Sequence, residues 1–161
     1  MAVVDKTFRN REEAGKQLAR QLKNYAKKDV VVYALPRGGV VVGAEVARAL
    51  QAPLTILTAR KIGHPDFPEF AIAAVSQDGY VVKDEEAVLS IGEDKFDELL
   101  EDAQVEAERR HNLYLKGIPV PNVAGKIAII VDDGLATGLT IRAAISDLRL
   151  RKPKKIILAV P

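Results

Sequence analysis

The amino-acid sequence predicts an α/β protein in which helices flank a parallel β-sheet. Short, unbroken runs of Val, Ile and Leu alternate along the chain with segments whose apolar residues recur at helical spacing. Such runs are typical of strands buried on both faces, as parallel strands are. The chain has 161 residues and no internal repeat or linker, so we expect one domain spanning residues 1–161.

The first half of the chain supplies two of the expected strands. Ala14, Leu18, Leu22 and Tyr25 share one helical face, and Asn10 with Glu13 resembles a capping pair. After this helix we expect, in order, a strand at 30–35, a break at 36–39, a helix at 40–50 and a strand at 54–59.

The second half begins with a loop rich in Gly and Pro, and we expect residues 60–68 to lack regular pairing. The remaining predicted elements are a hairpin at 71–83, a long helix at 96–114, a strand at 126–131, a helix at 139–150 and a strand at 155–160. The hairpin and long helix, residues 70–116, are expected to form a small lid. Arg110 lies on the apolar face of that helix; of the two options, pairing with a carboxylate or extending outward to solvent, we expect the second.

Composition excludes several classes of function. The chain has no Cys, which rules out disulfides, a thiol nucleophile and a cysteine metal site. Its net charge of +2 does not argue for a nucleic-acid or membrane partner. The N-terminus lacks the apolar run of a signal peptide, and charges interrupt every apolar segment. These features predict a cytoplasmic protein.

The loop after the strand at 126–131 has the properties of a phosphate site. In parallel sheets, ligands bind beyond the carboxyl ends of the strands. Here Gly134 to Thr140, mostly small residues, leads into a predicted helix. A helix N-terminus offers unpaired N–H groups and partial positive charge, and Thr137 and Thr140 add hydroxyl donors. The loop is therefore suited to a phosphate monoester.

The presence of Asp132 and Asp133 beside a predicted phosphate site needs a separate explanation, because carboxylates repel a phosphate. Vicinal hydroxyls are good donors to carboxylates, and a Mg²⁺ shared with the ligand would offset the charge. A diol clamp beside a phosphate cradle fits a ribose 5-phosphate. Nucleotide hydrolases also end a strand in acids, but the chain lacks both G-x-x-x-x-G-K-[ST] and G-x-G-x-x-G. An acidic strand end followed by an ordinary helix cap remains the structural alternative.

Residues 129–140 resemble the motif with which phosphoribosyltransferases of the common α/β fold bind 5-phosphoribosyl 1-diphosphate (PRPP). Residues 34–39, Ala-Leu-Pro-Arg-Gly-Gly, look like the pyrophosphate-binding loop of that family. Residues 60–63 fall where its mobile loop begins. Together with Pro-Glu-Phe-Ala-Ile at 68–72, they are similar to a predicted phosphoribosyltransferase subgroup. The resemblance spans roughly residues 10–161.

The resemblance implies a role for each matching residue. Asp132 and Asp133 would hold the ribose 2′- and 3′-hydroxyls and, indirectly, Mg²⁺ shared with the ligand. Arg37 and Gly38 would meet the pyrophosphate, with unusual peptide geometry there, while a closing Arg60–Lys61 loop would stabilise the leaving charge and exclude water. The implied catalytic residues are Arg37, Arg60, Lys61, Asp132 and Asp133. The implied PRPP-binding residues are Arg37, Gly38, Asp132, Asp133, Gly134, Ala136, Thr137, Gly138, Leu139 and Thr140.

The implied activity is Mg²⁺-dependent transfer of phosphoribose to a nitrogen nucleophile such as a nucleobase, within nucleotide and nucleoside metabolism. The alternative is a PRPP-binding or PRPP-sensing domain without catalysis. Members of the family usually add a hood over the acceptor, and no C-terminal hood is evident after the last predicted strand. Unless residues 70–116 form a partial lid, the acceptor site is therefore expected to be incomplete, with an edge that a homodimer could cover.

Overall fold

The computed structural model describes residues 8–134 and 138–161. The helices are α1 (Arg11–Gln21), α2 (Gly38–Leu50), α3 (Glu85–Ile91), α4 (Glu93–Tyr114) and α5 (Leu139–Leu150). The strands are β1 (Val30–Ala34), β2 (Leu54–Ile56), β3 (Ala59–Gly63), β4 (Ala71–Ser76), β5 (Val81–Lys83), β6 (Ile127–Val131) and β7 (Lys155–Ala159). In the described ranges, no helix is both long and apolar enough to cross a membrane.

Four strands form a parallel sheet in the order β2-β1-β6-β7. The central pair, β1 and β6, runs in register from Val30 opposite Ile127 to Ala34 opposite Val131. Both strands are apolar throughout, because each side of the sheet is covered. The predicted α/β class with a parallel sheet is confirmed. The register also brings the loops after β1 and β6 side by side.

The two faces of the parallel sheet carry different helices. Val32 and Ile129 point to the face that α1 and α2 cover, where they pack with Leu18 and Val46. The alternate residues of the same strands point to the opposite face, where they pack against α5; these are Val31, Tyr33, Ala128 and Ile130. The segment that leaves β1 and enters α2 therefore lies on one face, and α5 lies on the other.

A second, antiparallel sheet has the order β3-β4-β5. Its apolar face packs on α3 and α4 through Ile62, Val75, Val88 and Phe96. Helix α5 also contacts β3 and β4, so it lies between the two sheets. Buried Gln77 joins the sheets by accepting hydrogen bonds from the Thr58 N–H at 2.8 Å and the Thr58 hydroxyl at 2.9 Å.

The predicted hairpin is confirmed by β4 and β5, whereas two expectations about residues 54–68 are wrong. The second parallel strand ends at Ile56, and Ala59 already belongs to the other sheet. Arg60 and Lys61 lie in β3, paired with β4 opposite Val75 and Ala74, and not in an unpaired loop. The Gly and Pro signals begin only at residue 63, so they mark the end of this strand.

Candidate functional site

The loops after β1 and β6 meet at the carboxyl edge of the parallel sheet. The Leu35 N–H donates to the Val131 carbonyl oxygen at 2.9 Å, which joins the two strand ends directly before the loops. Beyond this bond, residues 36–39 follow β1, and Asp132 and Asp133 follow β6. The structure thus brings together the two motifs that the sequence singled out separately.

Asp132 is half-buried at this edge. One of its carboxylate oxygens, Oδ1, accepts a hydrogen bond from the Asp133 N–H at 2.8 Å. Burial raises the pKa of Asp132 to about 6, and the nearby negative charge of Asp133 acts in the same direction. A ligand that donates hydrogen bonds or carries positive charge would therefore stabilise the ionised form of Asp132.

Asp133 is exposed and forms an ion pair with Arg11, the first residue of α1. The Arg11 Nε and Nη2 atoms each lie 2.8 Å from Asp133 Oδ2. The two residues are 122 positions apart in sequence. Sequence reasoning missed Arg11 because nothing in its local pattern distinguishes it from any exposed Arg in the first turn of a helix. The ion pair joins α1 to the site and partly neutralises one of its two acids.

The loop at 36–39 packs directly against the aspartates. A Cβ on Gly38 would overlap the Asp133 carboxylate, and one on Gly39 would lie 2.8 Å from the Val131 carbonyl oxygen and 3.0 Å from Asp132 Cα. Gly39 is therefore required by the close approach of backbone atoms, whereas Gly38 is crowded only by the ends of side chains. The peptide bond between Pro36 and Arg37 is cis, within the loop where unusual geometry was expected. Arg37 is exposed at the start of α2.

We expect Gly38→Ala and Gly39→Ala to differ. At residue 39 the added methyl group meets backbone atoms, so the free energy of unfolding should fall by about 1–3 kcal/mol. At residue 38 it meets the ends of the Asp133 and Arg11 side chains, which can move, so the melting temperature should change little. Urea denaturation and calorimetry would test both variants. Equal destabilisation by the two would contradict this packing.

The structure describes the expected phosphate-binding loop at Gly134 and from Gly138 onward. Gly138 adopts a left-handed backbone with φ of 78°, and α5 starts at the next residue, Leu139. Thr140, in the first turn, is half-buried. Gly134 is exposed, and no described atom lies within 4 Å of where its Cβ would stand. Ala136 and Thr137, also predicted to bind the phosphate, lie outside the described residues.

An open cleft of about 570 Å³ lies beside this helix start, between α5, β3 and α4. Its lining includes Arg60, Lys61, His64, Leu99, Arg110 and Thr140. The structure therefore places the predicted Arg60 and Lys61 next to the start of α5. His64 is half-buried at the cleft, where its Nδ1 accepts a hydrogen bond from the Asp66 N–H at 3.2 Å.

The expectation that Arg110 merely extends to solvent is wrong. Its Nε donates to Glu106 Oε1 at 2.7 Å, one helical turn away on α4. Arg109 also bonds to Glu106, at 2.7 and 3.0 Å. The two guanidinium groups lower the pKa of Glu106 to about 2. Residues i and i+4 on a helix are neighbours, so the carboxylate holds Arg110 on the side of α4 that lines the cleft.

The site can supply few protein ligands to a metal ion. In the described ranges, no three acidic, His or Cys side chains are grouped closely enough to hold one. Mg²⁺ commonly binds through one or two carboxylates together with substrate phosphates. Asp132 and Asp133 fit this mode, since both are oxygen donors and their mutual repulsion would be relieved by a cation.

Comparison with known proteins shows which family has this sequence pattern. The sequence model described as "Phosphoribosyl transferase domain" matches residues 6–161. A Mycobacterium tuberculosis protein, provisionally named a phosphoribosyl transferase, is 42% identical over 158 residues, which cover 97% of this chain and 36% of the relative. The chain thus spans little more than a third of that protein.

Two solved structures share the fold. The crystal structure of TT1426 from Thermus thermophilus is 35% identical, has a TM-score of 0.79, and aligns over 97% of this chain and 75% of its own. A purine phosphoribosyltransferase from Pyrococcus horikoshii is 18% identical with a TM-score of 0.56, over 96% of this chain and 74% of its own.

Proposed function

This chain belongs to the phosphoribosyl transferase domain family, and on that premise we propose that it transfers 5-phosphoribose from PRPP to a nitrogen nucleophile, such as a nucleobase, with Mg²⁺ present. One observation carries the proposal. The Asp132–Asp133 pair, which precedes the start of α5, is in direct contact with the glycines of the Pro-Arg-Gly-Gly loop. A single ligand can therefore meet all three elements.

The ribose and its 5′-phosphate are assigned to the segment after β6. Asp132 and Asp133 accept hydrogen bonds from the 2′- and 3′-hydroxyls, and charge-assisted bonds of this kind are strong. The backbone N–H groups at the start of α5 and the Thr140 hydroxyl bind the phosphate. Gly134, Ala136, Thr137, Gly138 and Leu139 complete this assignment.

The pyrophosphate is assigned to the loop after β1. Gly38 lies against the Asp133 carboxylate, and Arg37 lies exposed beside it. Arg37 is positively charged at neutral pH and can stabilise the departing pyrophosphate. When bound, Mg²⁺ would neutralise further negative charge, and Asp132 and Asp133 would help to hold it.

The reaction exchanges one bond at the ribose C1 for another. The bond from C1 to the pyrophosphate oxygen breaks, and the electron pair leaves with pyrophosphate. A bond from the acceptor nitrogen to C1 forms, and the nitrogen releases a proton to solvent. Arg60 and Lys61, held in β3 near the start of α5, stabilise negative charge during this exchange, while residues 70–116 shield the reacting centre from water.

The competing function is PRPP binding without transfer. Incubation with PRPP, Mg²⁺ and a panel of nitrogen bases, followed by pyrophosphate detection, would separate the two. Base-dependent pyrophosphate release supports the transferase. Saturable PRPP binding without release for any base supports the sensing domain, and the absence of PRPP binding would contradict both.

PRPP affinity is expected to fall below about pH 6. Asp132 must be ionised to accept the ribose hydroxyls, and its pKa is about 6. From pH 7 to pH 5 its ionised fraction falls from about 90% to about 10%, so the Kd should rise roughly tenfold. Calorimetry across this range would test it. Since the phosphates of the ligand also titrate near pH 6, Asp132→Asn serves as the control. Identical pH profiles for the wild type and the variant would contradict the role of Asp132.

A further inference from the structure

Arg11 pairs with one of the two site aspartates although its position in α1 does not favour a cation. It is the first residue of the helix, where the positive end of the helix dipole favours acids such as Glu12 and Glu13. The pair joins two solvent-accessible side chains, 59% exposed for Arg11 and 33% for Asp133, so it contributes little to folding stability. The stability of the fold therefore does not explain an Arg at this position.

The contact with Asp133 uses the guanidinium group of Arg11 incompletely. Its Nε and Nη2 atoms both lie 2.8 Å from the same carboxylate oxygen, Oδ2. The strongest pairs of Arg with an anion instead match two N–H groups with two separate oxygens. A phosphoryl group presents several oxygens and fits this arrangement. Arg11 would therefore bind a phosphate or pyrophosphate group better than it binds Asp133.

The guanidinium of Arg11 also lies against the loop to which the pyrophosphate is assigned. Its Nε lies 2.9 Å from the place that a Cβ on Gly38 would occupy. That loop contains one cation, Arg37, and packs against the acids Asp132 and Asp133. A pyrophosphate carries several negative charges, so additional positive charge would stabilise it here. Arg11 supplies a second cation at this loop.

The side chain of Arg11 can leave Asp133 while its backbone stays fixed. Asn10 caps α1 by accepting a hydrogen bond from the Glu13 N–H at 2.9 Å, which holds the start of the helix. A cavity of about 320 Å³ opens beside Arg11 and Asp133, bordered also by Val42 of α2. A ribose hydroxyl that bonds to Asp133 would compete with Arg11 for the carboxylate. PRPP would therefore release Arg11 and offer it another anion.

We propose that Arg11 is a pyrophosphate-binding residue that distinguishes PRPP from ribose 5-phosphate. Asp133 holds Arg11 beside Gly38 until a ribose takes up the carboxylate, and Arg11 then binds the pyrophosphate. The proposal rests on the proposed transferase function, because it uses the ribose and pyrophosphate assignments made there. Ribose 5-phosphate breaks the pair of Arg11 with Asp133 and offers no anion at C1 in return, so Arg11 favours PRPP alone.

Affinities for two ligands test this role. Calorimetry with saturating Mg²⁺ and no base would measure the Kd of PRPP and of ribose 5-phosphate for the wild type and for Arg11→Gln. We expect Arg11→Gln to weaken PRPP binding about tenfold or more, the scale of one charge-assisted contact. Its affinity for ribose 5-phosphate should stay within about threefold of the wild type or increase, because no ion pair has to be broken.

Two further variants complete the test. Arg11→Lys keeps the positive charge but not the fork of N–H groups, so it should lose less PRPP affinity than Arg11→Gln. Arg20→Gln is the matched control, because it removes the same charge from the exposed last turn of α1. It should keep the wild-type affinity for both ligands. All three variants should have the melting temperature of the wild type within a few degrees.

Three outcomes would overturn the role of Arg11. PRPP affinity that is unchanged in Arg11→Gln would show that Arg11 does not meet the ligand. Equal weakening of PRPP and ribose 5-phosphate would show that Arg11 only orients Asp133. An equal loss in Arg20→Gln would show a long-range effect of net charge.

Failure of the proposed transferase function has a different signature. Wild-type protein that binds PRPP but releases no pyrophosphate with any base would refute transfer, while the Kd comparison would still decide the role of Arg11. Wild-type protein that binds no PRPP would refute both.

Discussion

Replacing both Asp132 and Asp133 by Asn is expected to weaken PRPP binding by about a hundredfold or more. Each hydrogen bond to a charged group contributes about 1.5–3 kcal/mol, and every 1.4 kcal/mol is tenfold in Kd. The fold should persist, because Asp133 is exposed and Asp132, whose carboxylate is destabilised by burial, tolerates a neutral amide. Calorimetry with PRPP and saturating Mg²⁺ measures the loss.

The two single variants should not be equivalent. Among the described residues, the Asp132 carboxylate accepts a hydrogen bond from the neighbouring backbone N–H, whereas the Asp133 carboxylate is paired with Arg11. Asp133→Asn would weaken that pair, and Arg11 could then contact the pyrophosphate and compensate in part. Asp132→Asn is therefore expected to have the larger effect. Asp102→Asn, an exposed carboxylate on α4, is the matched control. Affinity unchanged in the double variant would refute the ribose assignment.

The second large effect is expected for the double variant Arg60→Gln/Lys61→Gln. Preorganised positive charge that stabilises a developing negative charge is typically worth a hundredfold or more in rate. Pyrophosphate release with the most active base of the panel should fall about hundredfold. Ribose 5-phosphate affinity should change by less than about fivefold, because the aspartates and the start of α5 remain intact.

The control for this variant is a pair of exposed lysines that do not line the cleft. Lys116 follows α4 and Lys154 precedes β7, and both side chains are exposed. Lys116→Gln/Lys154→Gln makes a similar change in net charge and should keep the rate. If Arg60→Gln/Lys61→Gln retained wild-type pyrophosphate release, the electrostatic role of β3 would be wrong.

Much of the fold could be predicted because the sequence signals are local. β1 and β6 are unbroken apolar runs rich in β-branched residues, and α5 begins and ends where its periodicity does, at Leu139 and Leu150. β3 could not be predicted in the same way. Its sequence, Ala-Arg-Lys-Ile-Gly, lacks apolar alternation, and its strand conformation depends on pairing with β4. Pairing with β4 therefore determines the strand conformation of β3, whose own sequence does not favour a strand.

The candidate site likewise contains residues that local sequence patterns predict and residues that only tertiary contacts bring in. Asp132, Asp133 and the Pro-Arg-Gly-Gly loop are contiguous motifs at strand ends, so the topology alone places them together. The sequence does not predict Arg11 and Arg110 as site residues. Arg11 reaches Asp133 from α1, and Arg110 reaches the cleft because Glu106 holds it. Such contacts depend on packing between distant segments, which a single sequence does not reveal.

The most direct test of the proposed site is a crystal structure of the protein with PRPP and Mg²⁺ bound. We expect the 5′-phosphate at the start of α5 near Thr140, the ribose hydroxyls within hydrogen-bond distance of Asp132 and Asp133, and the pyrophosphate against Gly38. A ligand bound elsewhere, with both carboxylates left in their contacts with Arg11 and the Asp133 N–H, would contradict the assignment.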